Sequence, residues 1–351
     1  MTFLAALLAG TSLVAAAAPA QQNPAPAAPR AAQEPSTLGE KAGRILDTIT
    51  GKPQAKADTD MRRVLDTLAD LKPEPIETLS AIDARQQPSA TDAVKALLRK
   101  EGLSEMPEPG VATKDIVVRG AAGELKARTY MPEGAGGAGN LPVVVYFHGG
   151  GFVIGDLDAY DAGPRAIARQ ANALVVSVHY RQAPENKFPA AHEDAIAAYR
   201  WVVENARTLG GNPQQVAVMG ESAGGNLAIN VSLAARDQNV QPPVHEVLVY
   251  PLAGVDMNTP SYRENENAKP LDKPMIGWFV AQLTNGDGDK ADPRLDIVGK
   301  AKLSNLPPTT IITAEIDPLR SEGMDLGRKL KAAGVAVNAK DYPGVTHEFF
   351  G

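Results

Sequence analysis

From Lys114 to the end of the chain, short β-branched runs alternate with stretches whose apolar residues recur at helical spacing, and this alternation restricts the fold more than any other feature. The spacing predicts strands at about 113–119, 124–130, 142–147, 173–179, 215–219, 246–250, 309–314 and 336–341. It predicts helices near 158–171, 190–208, 222–236, 271–284 and 320–333. The turn Gly120–Gly123 joins the first two strands as a hairpin. Helices separate the later strands, which requires parallel pairing through right-handed crossovers. Val143–Phe147 and Leu174–Val178 are apolar without strict alternation, as strands covered on both faces must be. The expected architecture is an α/β fold with an eight-stranded, mostly parallel sheet flanked by helices. A chain of 351 residues with 44% apolar content can bury such a core, and no internal repeat interrupts it.

The N-terminal third reads differently. Phe3–Ala18 is too short for a membrane span, and Ala18-Pro19-Ala20 fits a small-x-small cleavage site, so residues 1–20 read as a signal peptide although no basic residue precedes the apolar run. The mature protein is then expected to be periplasmic or secreted, without stable membrane insertion. Residues 21–36, rich in Pro, Ala and Gln, read as a linker. Residues 37–110 read as a helical segment in which Leu46, Met61, Val64, Leu65, Leu68 and Leu71 share a helical period, broken at Pro73 and Pro75. Thr91-Asp92 is the expected cap of a second helix ending at Gly102. No catalytic pattern falls here; the catalytic domain is expected at 111–351.

The chemistry gathers around two loops. Gly220-Glu221-Ser222-Ala223-Gly224 lies between a strand and a helix, where a tight turn would lift the Ser222 hydroxyl clear of the sheet and needs small neighbours. The helix start beneath it favours developing negative charge. His148-Gly149-Gly150-Gly151-Phe152 follows an earlier strand, and its glycines let backbone N–H groups turn toward a ligand oxygen, as acyl transfer requires.

A serine nucleophile needs a histidine, and the histidine needs a carboxylate. In the α/β-hydrolase arrangement that this strand–turn–helix serine resembles, the order is Ser, then Asp or Glu, then His, each after a strand. Of the five histidines only His245 and His347 follow Ser222. His245 leaves little room for an acid on its own strand loop, so His347, in a loop by composition, is the base. The acid then follows the strand 309–314: Asp317 is the first choice, before a proline, and Glu315 the second. His148, His179 and His192 read as structural.

Other classes are excluded by composition. Lys and Arg number 35 against 41 Asp and Glu, a net charge of −6, which disfavours nucleic acid. With no cysteine there is no thiolate metal site, disulfide or cysteine nucleophile. Asn285–Lys290 opens like a calcium loop but has Lys290 where glycine is required, and reads as a solvated acidic loop. No metal and no cofactor is expected.

Together, His148–Phe152, Gly220–Gly225, Asp317-Pro318-Leu319 and His347 resemble the hormone-sensitive-lipase-like branch of α/β-hydrolases, the bacterial family IV esterases; so does Tyr180-Arg181-Gln182-Ala183-Pro184-Glu185 with Phe188-Pro189-Ala190. The resemblance covers about residues 111–351. It implies a triad of Ser222, Asp317 and His347, an oxyanion hole of Gly150, Gly151 and Ala223, an N-terminal helical cap, and hydrolysis of short- to medium-chain acyl esters. An amidase or arylformamidase with the same triad is the alternative; a non-catalytic receptor or a long-chain lipase fits less well. A homodimer is left open. Four departures stand out: Glu221 where Asp is commoner, Gln182 for Leu, Glu348 for the Gly after the histidine, and an end at Gly351. Glu348 is expected to raise the pKa of His347. The last departure implies a fragment or an uncovered sheet face, because the fold normally finishes with a further helix.

Overall fold

The computed structural model describes residues 56–107, 109–135, 140–238 and 240–351. The signal peptide, the linker and Leu46 lie outside the described residues.

Eight strands form one sheet: β1 Val111–Arg119, β2 Glu124–Pro132, β3 Leu141–Phe147, β4 Leu174–Val178, β5 Gly211–Glu221, β6 Glu246–Val249, β7 Thr309–Ile316 and β8 Val337–Thr346. Their order is β1-β2-β4-β3-β5-β6-β7-β8. The hairpin β1–β2 and the pair β2–β4 are antiparallel; every later pair is parallel. Among the described residues, the helices of ten or more residues are α1 Thr59–Asp70, α2 Ala90–Lys100, α3 Ala162–Ala171, α4 Ala190–Asn205, α5 Ala223–Asp237, α6 Lys273–Leu283 and α7 Arg320–Ala332.

The central strands are covered on both faces, as their unbroken apolar runs required. Val143, Val145, Phe147, Val216 and Val218 face one cluster, closed by side chains of α4, α5 and α7 such as Val202, Leu227 and Leu326. Val144, Tyr146, Ala217 and Met219 face a second cluster with Ile167 and Ala168 of α3, against which Phe349 and Phe350 also pack. Each fully buried Val or Leu contributes about 1.5–3 kcal/mol, so the sheet centre is the firmest part of the scaffold. Residues at the C-terminal ends of β3, β5, β7 and β8 are held by it.

Two local expectations are corrected. The cap of α2 is Ser89, not Thr91-Asp92: Ser89 accepts from the Asp92 N–H while the Asp92 carboxylate accepts from the Ser89 N–H, a reciprocal box. Residues 343–346, expected as loop, belong to β8. Proline and glycine argued against a strand, but β8 is an edge strand, and a register shift between Ala314 and Ile316 accommodates the irregularity.

Candidate active site

One residue separates β5 from α5, and it is Ser222. Its backbone has φ 55° and ψ −117°, a left-handed conformation that costs a non-glycine residue about 1–3 kcal/mol. The turn closes tightly enough that a Cβ on Gly220 would stand 2.1 Å from the Gly224 carbonyl oxygen. One on Gly224 would stand 2.0 Å from the Phe147 carbonyl oxygen. Neither backbone carbonyl can retreat without moving a central strand or helix. Gly224→Ala should therefore destabilise the protein by about 3 kcal/mol, read by chemical denaturation, and lower activity as well. An unfolding midpoint equal to wild type would contradict this account of the turn.

The Ser222 N–H donates to the Val249 carbonyl at 2.9 Å, and the Ser222 carbonyl accepts from Asn226 and Leu252. Its hydroxyl lies 2.9 Å from Nε2 of His347. Nδ1 of His347 lies 2.7 Å from Oδ2 of Asp317. The other Asp317 oxygen accepts from the Leu319 N–H at 2.8 Å. All three side chains are buried. A carboxylate only accepts, so Nδ1 carries the proton and Nε2 is left to accept from the serine.

Burial works against a charged His347. The charge and hydrogen bond of Asp317, with the charge of Glu348, outweigh it and hold the imidazole pKa above its ordinary value. The expected influence of Glu348 is thus present, behind that of Asp317. Glu221, one residue before the nucleophile, is fully buried. Burial and the neighbouring Glu348 push its carboxyl up to about 8, although the Tyr250 hydroxyl donates to it.

Gly150, Gly151, Ser222, Ala223 and His347 line one cavity of about 1070 Å³. Gly150 and Gly151 have φ 91° and 59°, and a Cβ on either would strike the Ile154 carbonyl oxygen at 2.1 Å or the Phe279 ring at 2.3 Å. Ala223 opens α5, so its N–H has no intrahelical acceptor. The glycine loop is braced by residues to which the sequence assigned no role. The Tyr180 hydroxyl donates to the carbonyls of His148 and Gly149 at 3.0 and 3.2 Å. The Gln182 amide donates to those of Ile154 and Gly155 at 2.9 and 2.8 Å. Arg85 donates to the Val153 carbonyl at 2.8 Å. The motif around Tyr180 was the available signal; Arg85 had none.

The remaining histidines bond elsewhere. His148 has Gly149 O at 2.8 Å and His179 at 3.3 Å as partners, and burial pushes it down to about 3. His192 meets Asn226 at 2.8 Å, and His245 meets Thr310 at 3.0 Å. Glu315 accepts from the Gly344 N–H at 2.8 Å and is not brought to His347. In the acidic loop, Asp287 is paired with Lys290 and Asp289 accepts from Asn285.

A family model described as alpha/beta hydrolase fold matches residues 144–351. Esterase LipI of Mycobacterium tuberculosis is 40% identical over 297 residues, covering 82% of this chain and 91% of its own. Carboxylesterase NlhH of the same organism is 42% identical over 248 residues, 70% of this chain and 76% of its own. The solved hyperthermophilic esterase of the archaeon Pyrobaculum calidifontis is 37% identical, with a TM-score of 0.74 over 84% of this chain and 91% of that one.

Proposed function

This chain belongs to the alpha/beta hydrolase fold family, in its hormone-sensitive-lipase-like branch, and from that premise we propose that it is a serine carboxylesterase acting on short- to medium-chain acyl esters. The observation that carries the reading is the unbroken line of hydrogen bonds from Ser222 through His347 to Asp317, opening on a cavity that Gly150, Gly151 and Ala223 also line. Relatives named esterase and carboxylesterase support it.

In this reading Ser222 attacks the ester carbonyl carbon while His347 Nε2 takes its proton. The N–H groups of Gly150, Gly151 and Ala223 hold the oxyanion, which their fixed backbone does without reorganisation. The tetrahedral intermediate collapses, His347 returns the proton to the leaving alkoxide, and an acyl-Ser222 ester remains. Water, deprotonated by His347, then attacks the acyl carbon, and the bond to Ser222 Oγ breaks as His347 returns that proton to it, which releases the acid and restores the serine. Asp317 holds the imidazole in the required tautomer throughout.

Residues 56–107 supply the cap in this reading. The Arg85 guanidinium pairs with both Glu185 oxygens, at 2.8 and 2.7 Å, and bonds the Ala183 carbonyl as well. The Trp278 indole of α6 donates to the Leu79 carbonyl at 3.2 Å, closing the other side.

The test is hydrolysis of p-nitrophenyl esters from acetate to palmitate beside matched anilides. Fast cleavage of the short esters is the expected result. Cleavage confined to the anilides would favour the amidase, and no ester cleavage would overturn the proposal. The pH dependence follows from His347. Its pKa is raised, so the neutral base is present at high pH and is lost as pH falls. The acidic limb of kcat/KM should then lie above about pH 6.5, the ordinary histidine value. A limb well below that value would show that His347 is not the titrating base.

A further inference from the structure

Glu348 follows the histidine directly, at φ 69°, a backbone conformation glycine would adopt more easily. Something must compensate for placing a carboxylate there. Both of its oxygens accept from the Tyr160 hydroxyl, at 2.9 and 3.0 Å. Tyr160 is packed against the other half of the site: a Cβ on Gly149 would meet its hydroxyl at 2.8 Å, and one on Gly155 its ring at 2.8 Å. The Tyr160–Glu348 bond thus ties the segment carrying His347 to the glycine loop. Nothing in the acyl-transfer mechanism above uses either residue.

We propose that Glu348 is a positioning residue: its carboxylate, held by Tyr160, sets the His347 imidazole against the glycine loop and supplies a second negative charge, besides Asp317, that favours the imidazolium formed during the reaction. The proposal rests on the esterase reading of the same site.

The surroundings decide which group carries that charge. Asp317 and His347 face Glu348 from the ends of β7 and β8, Glu221 from the end of β5, Tyr250 from the end of β6, and Tyr160 and Tyr180 from the loops around the glycine run. The Tyr250 ring lies 4.4 Å from the His347 ring, and its hydroxyl donates to Glu221. Two carboxyls this close do not both ionise readily. Glu221 is fully buried, with one oxygen lacking any partner, and is the one held neutral at pH 7. Burial raises the Glu348 carboxyl above the ordinary carboxylate range, but the imidazole beside it and the Tyr160 donor on both oxygens act the other way, so of the two carboxyls Glu348 ionises first.

The experiment titrates His347 directly, by NMR of protein labelled at histidine, in wild type, Glu348→Gln and Glu348→Gly. This readout does not depend on ester turnover, so failure of the esterase reading and failure of this inference are separable. Glutamine keeps an acceptor for Tyr160 and removes the charge; glycine relieves the left-handed backbone and keeps the second variant folded. Both should shift the His347 midpoint to lower pH by about half a unit or more, roughly a threefold change in its protonation constant. A merely structural Glu348 would alter the unfolding temperature and leave that midpoint in place. Tyr160→Phe, which keeps the carboxylate and breaks the tie, should lower kcat roughly tenfold with KM within about twofold. A His347 midpoint unchanged in both Glu348 variants overturns the inference, as does a Tyr160→Phe turnover equal to wild type.

Discussion

Ser222→Ala should lower kcat on p-nitrophenyl acetate by about ten-thousand- to million-fold while leaving KM within a few-fold. The factor corresponds to about 5–8 kcal/mol of barrier. Alanine keeps the Cβ, so the left-handed turn at φ 55° is no more strained than before. What is lost is the nucleophile and the donor of one hydrogen bond, the 2.9 Å contact with His347 Nε2. An imidazole nitrogen left without that partner costs up to about 1–3 kcal/mol when sealed from water, and less beside an open cavity. The variant should accordingly fold and bind substrate. Its residual rate would come from the donors around Gly150, Gly151 and Ala223, which act on any attacking water. Measured kcat within tenfold of wild type, in protein whose circular dichroism matches wild type, would remove Ser222 from the mechanism.

Much of this arrangement is readable from the sequence because its signals are local. The strands β3 to β7 are marked by consecutive apolar residues buried on both faces, and the tightness of the elbow is written in Gly220 and Gly224 on either side of Ser222. Asp317 and His347 are placed by order along the chain once β7 and β8 are recognised. What the sequence does not display are partners brought together only by folding. Tyr160 meets Glu348 across 188 residues, and Arg85 meets Ala183 and Glu185 across 98 and 100. Both pairs join loops whose proximity is a product of the sheet order. The reach of β8 through Pro343 and Gly344 was hidden for a different reason. Local propensity argues against a strand there, and only pairing on one side, against β7, makes it tolerable.

Asp317→Asn tests the remaining member of the relay, and its expected effect is nearly as large. The two Asp317 oxygens have different jobs: Oδ1 accepts from the Leu319 N–H at 2.8 Å and Oδ2 faces His347 Nδ1 at 2.7 Å. An asparagine has one acceptor and one donor to distribute between two donors. Placing its oxygen toward Leu319 satisfies the backbone N–H and points the NH2 group at Nδ1. His347 must then accept at Nδ1 and carry its proton on Nε2, where it donates to Ser222 and can no longer act as its base. The reverse orientation would set the NH2 group against the Leu319 N–H and leave two buried donors facing each other. The first orientation therefore wins, and kcat should fall by about ten-thousand-fold although every atom stays in place. The same substitution removes the largest influence that raises the His347 pKa, so the acidic limb of the remaining activity should move to lower pH. A loss smaller than tenfold would mean that His347 keeps its tautomer without Asp317, and Glu315, bonded to the Gly344 N–H in the wild type, would be the next carboxylate to test.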